Sequence, residues 1–301
     1  MVLAATGTSQ AADFVISVVL VAAIAHAGWN LLVKLGDDQV LAFLLLNATS
    51  AVCGAVMWAA AGSPHVAAWP YLAVSVALHV AYNLALLNSY RLGDLSRVYP
   101  LARGLAPLLV TGGAALVAGE RLSRVQLVGV AVVAGGLASL VWLGGAGLPG
   151  GGRSVLLAVV TGVLVAAYSL CDGLGIRHAH DTVGYAGALF VIESCIIVAG
   201  LASWRQRVPG ALSGALSGAL SGALPREWLR GVLGGALSVA AYGAVLWAQT
   251  RLALGVVSAL RETSALLGAL LGAVFLHEGS PRRRVVAAFA VCAGVALLVV
   301  A

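Results

Sequence analysis

Residues 98–123 read VYPLARGLAPLLVTGGAALVAGERLS. Apart from Tyr99 and Arg103 the first twenty or so are small, aliphatic or proline. That is long enough to cross a hydrocarbon core about 30 Å thick at a rise of about 1.5 Å per residue. A second stretch, ALRETSALLGALLGAVFLHE at 259–278, repeats the plan, with Arg261 in apolar surroundings, Glu262 beside it and Glu278 at the end. A shift of 158 residues lays Arg103 on Arg261, Glu120 on Glu278 and Arg124 on Arg282, and a shift of 160 aligns AYNLALLNSYRL (81–92) with AYGAVLWAQTRL (241–252). Two alanine-rich helices can match by chance, but matched charges at matched depth rarely do. Transporters are often built from two related halves with the solute site between them.

The rest of the chain fits a lipid environment. Hydrophobic residues make up 61% of the 301 and charged residues 9%, with a mean hydropathy of +1.02, whereas a soluble domain is roughly a quarter charged. Hydropathy and breaker residues predict about ten spans, at 13–34, 38–61, 69–90, 95–119, 122–143, 154–177, 182–204, 228–251, 254–277 and 283–301. The expected fold is therefore an all-α integral membrane protein of about ten transmembrane helices. Most connections are short turns, so consecutive helices are antiparallel neighbours. Two are longer. GGAGLPGGGR (144–153) reads as a flexible joint dividing a first repeat, 1–146, from a second, 147–301, and the loop at 204–228 carries a tandem GALS repeat of low complexity.

Five spans per half, an odd number, make the halves two inverted five-helix repeats. Counting cations at span ends, with Arg103 and Arg261 set aside as intramembrane, places Lys34, Arg91, Arg97, Arg153, Arg205, Arg207, Arg226, Arg230, Arg282, Arg283 and Arg284 on one side. Arg121, Arg124, Arg177 and Arg251 fall on the other. By the positive-inside rule both termini then face away from the cytoplasm. The net charge of +6 thus reads as topology. No basic stripe or aromatic platform for nucleic acid is present. Cys53, Cys171, Cys195 and Cys292 fall in apolar segments at unrelated spacings, which favours reduced thiols over a disulfide framework. No cationic stretch precedes the first apolar run, so that run is expected to stay as an anchor rather than be cleaved.

Several motifs resemble a known family. HAGWNLLVK (26–34), AYNLALLNSYRLGDLSRVYPLARGLAPLL (81–109), LVAGERLS (116–123) and ALRETSALLGALLGAVFLHE (259–278) are similar to the EamA-type branch of the drug/metabolite transporter superfamily. The run from YRLGD through YPLARG, with HAGWN, more closely resembles a subgroup associated with phosphonate utilisation. The resemblance covers nearly the whole chain and implies a ten-helix secondary carrier for small solutes in the cell membrane, with both termini in the cytoplasm, opposite to the charge count.

Two arginines at the centre of membrane helices cost roughly 5–7 kcal/mol if unpaired, so Arg103 and Arg261 must face protein, water or solute. Pro107 leaves the carbonyl of Arg103 without its usual partner and is expected to kink the helix there. Glu262 and Glu193 are candidate partners for the arginines. A carboxyl in low dielectric can also hold a proton near neutral pH, which makes Glu193 a candidate for proton coupling as well as for permanent neutralisation. His26 and Asn30 share a helix face, as do His79 and Asn83, with Trp29 and Tyr82 flanking them. Tyr99, Tyr168 and Tyr242 can add hydroxyls and rings to a mixed cavity or simply pack. Asp172 is a candidate interhelical acceptor. HAHD (178–181) could chelate a metal or be solvated, Glu120 and Glu278 end helices, and GALLG (268–272) invites close helix contact.

The function expected is secondary active transport of a small, anionic or zwitterionic solute, because guanidinium binds oxyanions through paired hydrogen bonds. The alternatives are an exporter of apolar drugs or metabolites, an intramembrane enzyme and a membrane scaffold. No HExxH, nucleophile elbow or nucleotide-binding motif supports an enzyme. No cofactor or metal is expected. The partners expected are the solute and the lipid bilayer, with protons as candidate coupling ion, a homodimer as candidate assembly and no nucleic acid.

Overall fold

The computed structural model describes residues 2–36, 38–92, 95–142, 152–207, 225–276 and 281–300, and these are helical, with no strand among them. The helices are α1 (Val2–Lys34), α2 (Gln39–Ala61), α3 (Trp69–Leu92), α4 (Leu95–Val117), α5 (Arg124–Trp142), α6 (Gly152–His178), α7 (Thr182–Arg207), α8 (Pro225–Gln249), α9 (Leu254–Arg261), α10 (Thr263–Leu276) and α11 (Pro281–Val299). The joint residues 143–151, most of the GALS stretch (208–224) and Glu278 lie outside the described residues.

Local chemistry stops and starts these helices where the sequence carries polar or flexible residues. Asp38 caps α2 by accepting from Val40 N at 2.9 Å and Leu41 N at 3.0 Å. Gly62, at φ +83, ends it and donates to Trp58 O. Ser123 and Gln126 form a reciprocal capping box at α5, each side chain accepting from the other's backbone N–H. In HAHD, Asp181 Oδ1 accepts from Gly184 N at 2.6 Å and His180 meets the ring of His65, so the cluster serves the turn into α7.

Packing runs largely between the halves. α1 lies on α8 and on the broken pair α9–α10, and correspondingly α6 lies on α3 and α4; α2 pairs with α7, and α5 with α11. The last two pairings bring backbones together. A Cβ on Gly187 would stand 2.8 Å from Gly54 O and 2.6 Å from Trp58 N, and one on Gly294 would stand 2.8 Å from Gly129 O. Small residues at such crossings let membrane helices approach closely.

The connections alternate between two ends. At one, His65 N donates to Ala179 O and Tyr71 stacks on His178. Arg177 meets Glu120 there as well. At the other, Gly36 in the α1–α2 turn packs beside Glu227 at the start of α8, where Arg230 pairs with that glutamate at 2.7 Å.

Polarity is inverted relative to a soluble bundle. Leu116 and Phe289 are 87% and 75% exposed, while Arg103, Asp172 and Glu262 are buried. Five helices, at Gln10–Lys34, Val40–Ala61, Val159–His178, Thr182–Ser203 and Pro225–Gln249, are long and apolar enough to cross a membrane. Together these features fit an α-helical membrane protein.

α4 runs as one helix through Pro107. One expectation needs correction. The ninth predicted span, 254–277, is instead divided into α9 and α10 with Glu262 at the break. The Thr263 hydroxyl donates to Leu260 O at 2.7 Å, while Glu262 N reaches both Ser258 O and Ala259 O at 3.2 Å, so the turn tightens locally.

Candidate functional site

Arg103 and Arg261 come from α4 and α9 and converge on a single carboxylate. Arg103 Nε lies 2.6 Å from Glu262 Oε2, and its Nη2 donates to Ser264 Oγ at 2.9 Å. Arg261 Nε lies 3.7 Å from Glu262 Oε1, and its Nη2 donates to Tyr168 OH at 3.2 Å. Arg103, Arg261 and Glu262 are 1%, 3% and 0% exposed. The broken helix helps to place them, because the carbonyl end of α9 favours the Arg261 cation and the amide end of α10 favours the Glu262 anion. Two guanidiniums and one carboxylate give these three side chains a formal net charge of +1.

Aromatic rings wall the arginine side. The Arg261 guanidinium lies 5.6 Å from the Tyr168 ring centre and 6.0 Å from that of Tyr242, and Tyr82 meets Tyr168 edge-on at 5.6 Å. His26 lies within electrostatic reach of both arginines. Its Nδ1 accepts from Trp29 Nε1 at 3.3 Å, and its Nε2 is buried with no hydrogen-bond partner among the described residues. Asn30 turns back to its own helix, donating to His26 O at 2.8 Å.

A second polar centre begins one helical turn beyond Tyr168, at Asp172. This fully buried carboxylate accepts from Tyr185 OH at 3.0 Å and from Tyr242 OH, and lies 3.9 Å from His79 Nε2. The His79 ring packs 4.0 Å from Tyr168, and its Nδ1 lies 3.1 Å from Ser75 Oγ. Asn83, one turn further along α3, donates to Glu193 Oε1 at 2.8 Å and to His79 O at 3.0 Å. A continuous string of polar groups therefore runs from Arg103 through Glu262, Arg261, Tyr168, Tyr242, Asp172, His79 and Asn83 to Glu193, drawing on both halves of the chain.

Of the residues anticipated from sequence, Arg103, Arg261, Glu262, Tyr168, Tyr242 and Tyr82 form one assembly. Asn83 and Glu193 form its far end, His26 lies within electrostatic reach of the arginines, and Trp29 donates to His26 and packs among Val33, Ala42 and Leu46. Among the described residues Glu193 pairs with no arginine; it accepts from the Asn83 amide instead. The side chain of Tyr99 lies outside the described residues. Tyr185 and Ser264 were not anticipated. Asp172, expected as an interhelical acceptor, accepts from Tyr185 on α7 and Tyr242 on α8.

Glu120 has a defined structural role. Its Oε2 accepts from Leu254 N at 2.8 Å, capping α9, and its Oε1 pairs with Arg177, which also donates to the carbonyls of Gln249 and Leu252. A residue of the first half thereby anchors the helix that ends in Arg261.

No family model and no curated protein matches the chain. A solved structure described only as a crystal structure of a protein superposes with a TM-score of 0.70 at 18% identity, covering 94% of this chain and 97% of the other. At that identity the likeness establishes the fold alone.

Proposed function

We propose that the protein is a secondary carrier of EamA type that moves a small anionic or zwitterionic solute by alternating access between two inverted five-helix repeats, 1–146 and 147–301. The observation that carries the reading is the excess positive charge of the buried triad, in which two arginines at matching positions of the two halves share the single carboxylate of Glu262. An unneutralised cation in low dielectric is costly, and an anionic solute would relieve that cost.

The packing supports the inverted arrangement. Exchanging the halves converts α1 on α8 into α6 on α3, and α1 on α9–α10 into α6 on α4, while α2 with α7 and α5 with α11 map onto themselves. On this reading the low exposure of the triad corresponds to a conformer closed to both ends, and transport requires the halves to rock apart at each end in turn. Glu193 is the candidate proton carrier, with the Asn83 amide holding its carboxyl. The tyrosine cluster around Arg261 also favours a solute with an apolar or aromatic part, so export of largely apolar molecules is the second reading.

The test is ligand-induced stabilisation of purified protein, with counterflow in sealed vesicles. An anionic ligand raises the melting temperature of the wild-type chain, and its unmodified form exchanges across the membrane. Arg103→Ala and Arg261→Ala reduce both effects. Correct folding of both variants with unchanged affinity for an anionic ligand would remove the basis of the proposal.

A further inference from the structure

The geometry points to a division of labour between the two arginines: Arg261 receives the anionic group of the solute, Arg103 holds the site in shape, and Glu262 sets a preference for one negative charge over two. This rests on the transport reading above. The arginines occupy matching sequence positions, yet their partners differ. Arg103 is tied to the helix break at two points, by the 2.6 Å contact with Glu262 and the hydrogen bond to Ser264. Arg261 stands 3.7 Å from the other carboxylate oxygen and otherwise meets a tyrosine hydroxyl and two ring faces. Rings attract a cation without neutralising it. Arg261 Nε is buried and stands 3.7 Å from Glu262 Oε1, against 2.6 Å from Arg103 Nε to Oε2, so Arg261 is the less tightly held of the two guanidiniums.

The groups facing the triad set its charge preference. Arg103 comes from α4, His26 from α1, Tyr168 with Asp172 behind it from α6, Tyr242 from α8 and Ser264 from α10. A singly charged oxyanion brings the triad to neutrality, with paired hydrogen bonds to a guanidinium edge. A second negative charge would share the enclosed space with Glu262, whose repulsion at this range is worth roughly tenfold or more in affinity.

The experiment uses the full chain in detergent, with methanesulfonate and methylphosphonate as probes of similar shape, at a pH where the phosphonate is doubly ionised, and binding measured by calorimetry. The wild type binds the sulfonate at least about tenfold more tightly. Glu262→Gln erases or reverses that ratio and Glu262→Asp restores it.

Two double variants assign the arginines, because both keep one buried positive charge. Arg103→Gln/Glu262→Gln keeps sulfonate binding within a few-fold, and Arg261→Gln/Glu262→Gln loses it by at least about tenfold. Arg261→Lys, which keeps the charge and removes the paired donors, also weakens binding and serves where a double variant does not fold. Equal binding by the two doubles, or an unchanged anion ratio in Glu262→Gln, overturns this assignment and leaves the transport reading standing. Failure of the wild type to bind either anion overturns both.

Discussion

Replacing Glu262 with methionine is expected to destabilise the protein far more than replacing Arg103 with methionine, although the two form one ion pair. The 2.6 Å and 3.7 Å contacts to Glu262 correspond to attractions of about 4–6 kcal/mol each at an effective dielectric of about 20. Each is opposed by the desolvation of its ions. Arg103→Met removes one attraction together with the desolvation cost of that cation, and leaves Arg261 and Glu262 as a neutral pair. Its cost is about 1–3 kcal/mol, partly from the lost hydrogen bond to Ser264. Glu262→Met removes both attractions and leaves two buried cations facing each other, so its cost is at least the 3–5 kcal/mol typical of a broken buried pair. Reversible unfolding by SDS titration of bicelle-reconstituted protein measures the difference directly. Equal stability of the two variants, or a less stable Arg103→Met, would refute the claim that one carboxylate serves both arginines.

Two further outcomes follow from separate parts of the molecule. Glu193→Gln keeps a partner for the Asn83 amide but cannot ionise, so proton-driven uptake into vesicles is lost while solute exchange continues; unaltered pH dependence of uptake would exclude Glu193 as the proton carrier. Gly187→Ala places a Cβ 2.6 Å from Trp58 N and is expected to cost about 1–3 kcal/mol by forcing α2 and α7 apart, whereas Gly112→Ala, which meets nothing within 4 Å, is neutral or stabilising; the same unfolding titration compares them.

The helical character and most helix limits were legible because length, hydropathy and turn residues are local properties. The matched arginines were also legible, since a repeat carries its charges at the same depth in each copy. The helix break in the second half was not anticipated. The ninth span breaks where the Thr263 hydroxyl takes up the carbonyl of Leu260, whereas α4, expected to kink at Pro107, runs through it as one helix. The sequence signal, present in the polar run RETS, was weaker than a proline and easily overlooked. The interhelical role of Asp172 was legible from a carboxylate deep in an apolar span, but its partners were not: Tyr185, Tyr242 and His79 lie on three other helices, and nothing within its own span names them.

The asymmetry of the triad has a cause in packing. Under the 158-residue shift that superposes Arg103 on Arg261, the counterpart of Glu262 is Gly104. A Cβ at Gly104 would lie 3.0 Å from Ala134 O on α5, so the close approach of α4 and α5 leaves little room for a side chain there. The corresponding position in the second half lies at the break between α9 and α10, where the chain departs from one continuous helix and a carboxylate is accommodated beside both arginines. Two cations at matched sequence positions thus share one counter-ion, because helix packing leaves room for a carboxylate at only one of the two places. A fully symmetric pair of Arg–Glu couples would be electrically closed, with nothing for an anion to complete. The glycine in the first half and the helix break in the second are therefore two aspects of one arrangement, and on the carrier reading proposed above the charge left over is what a solute of opposite sign would complete.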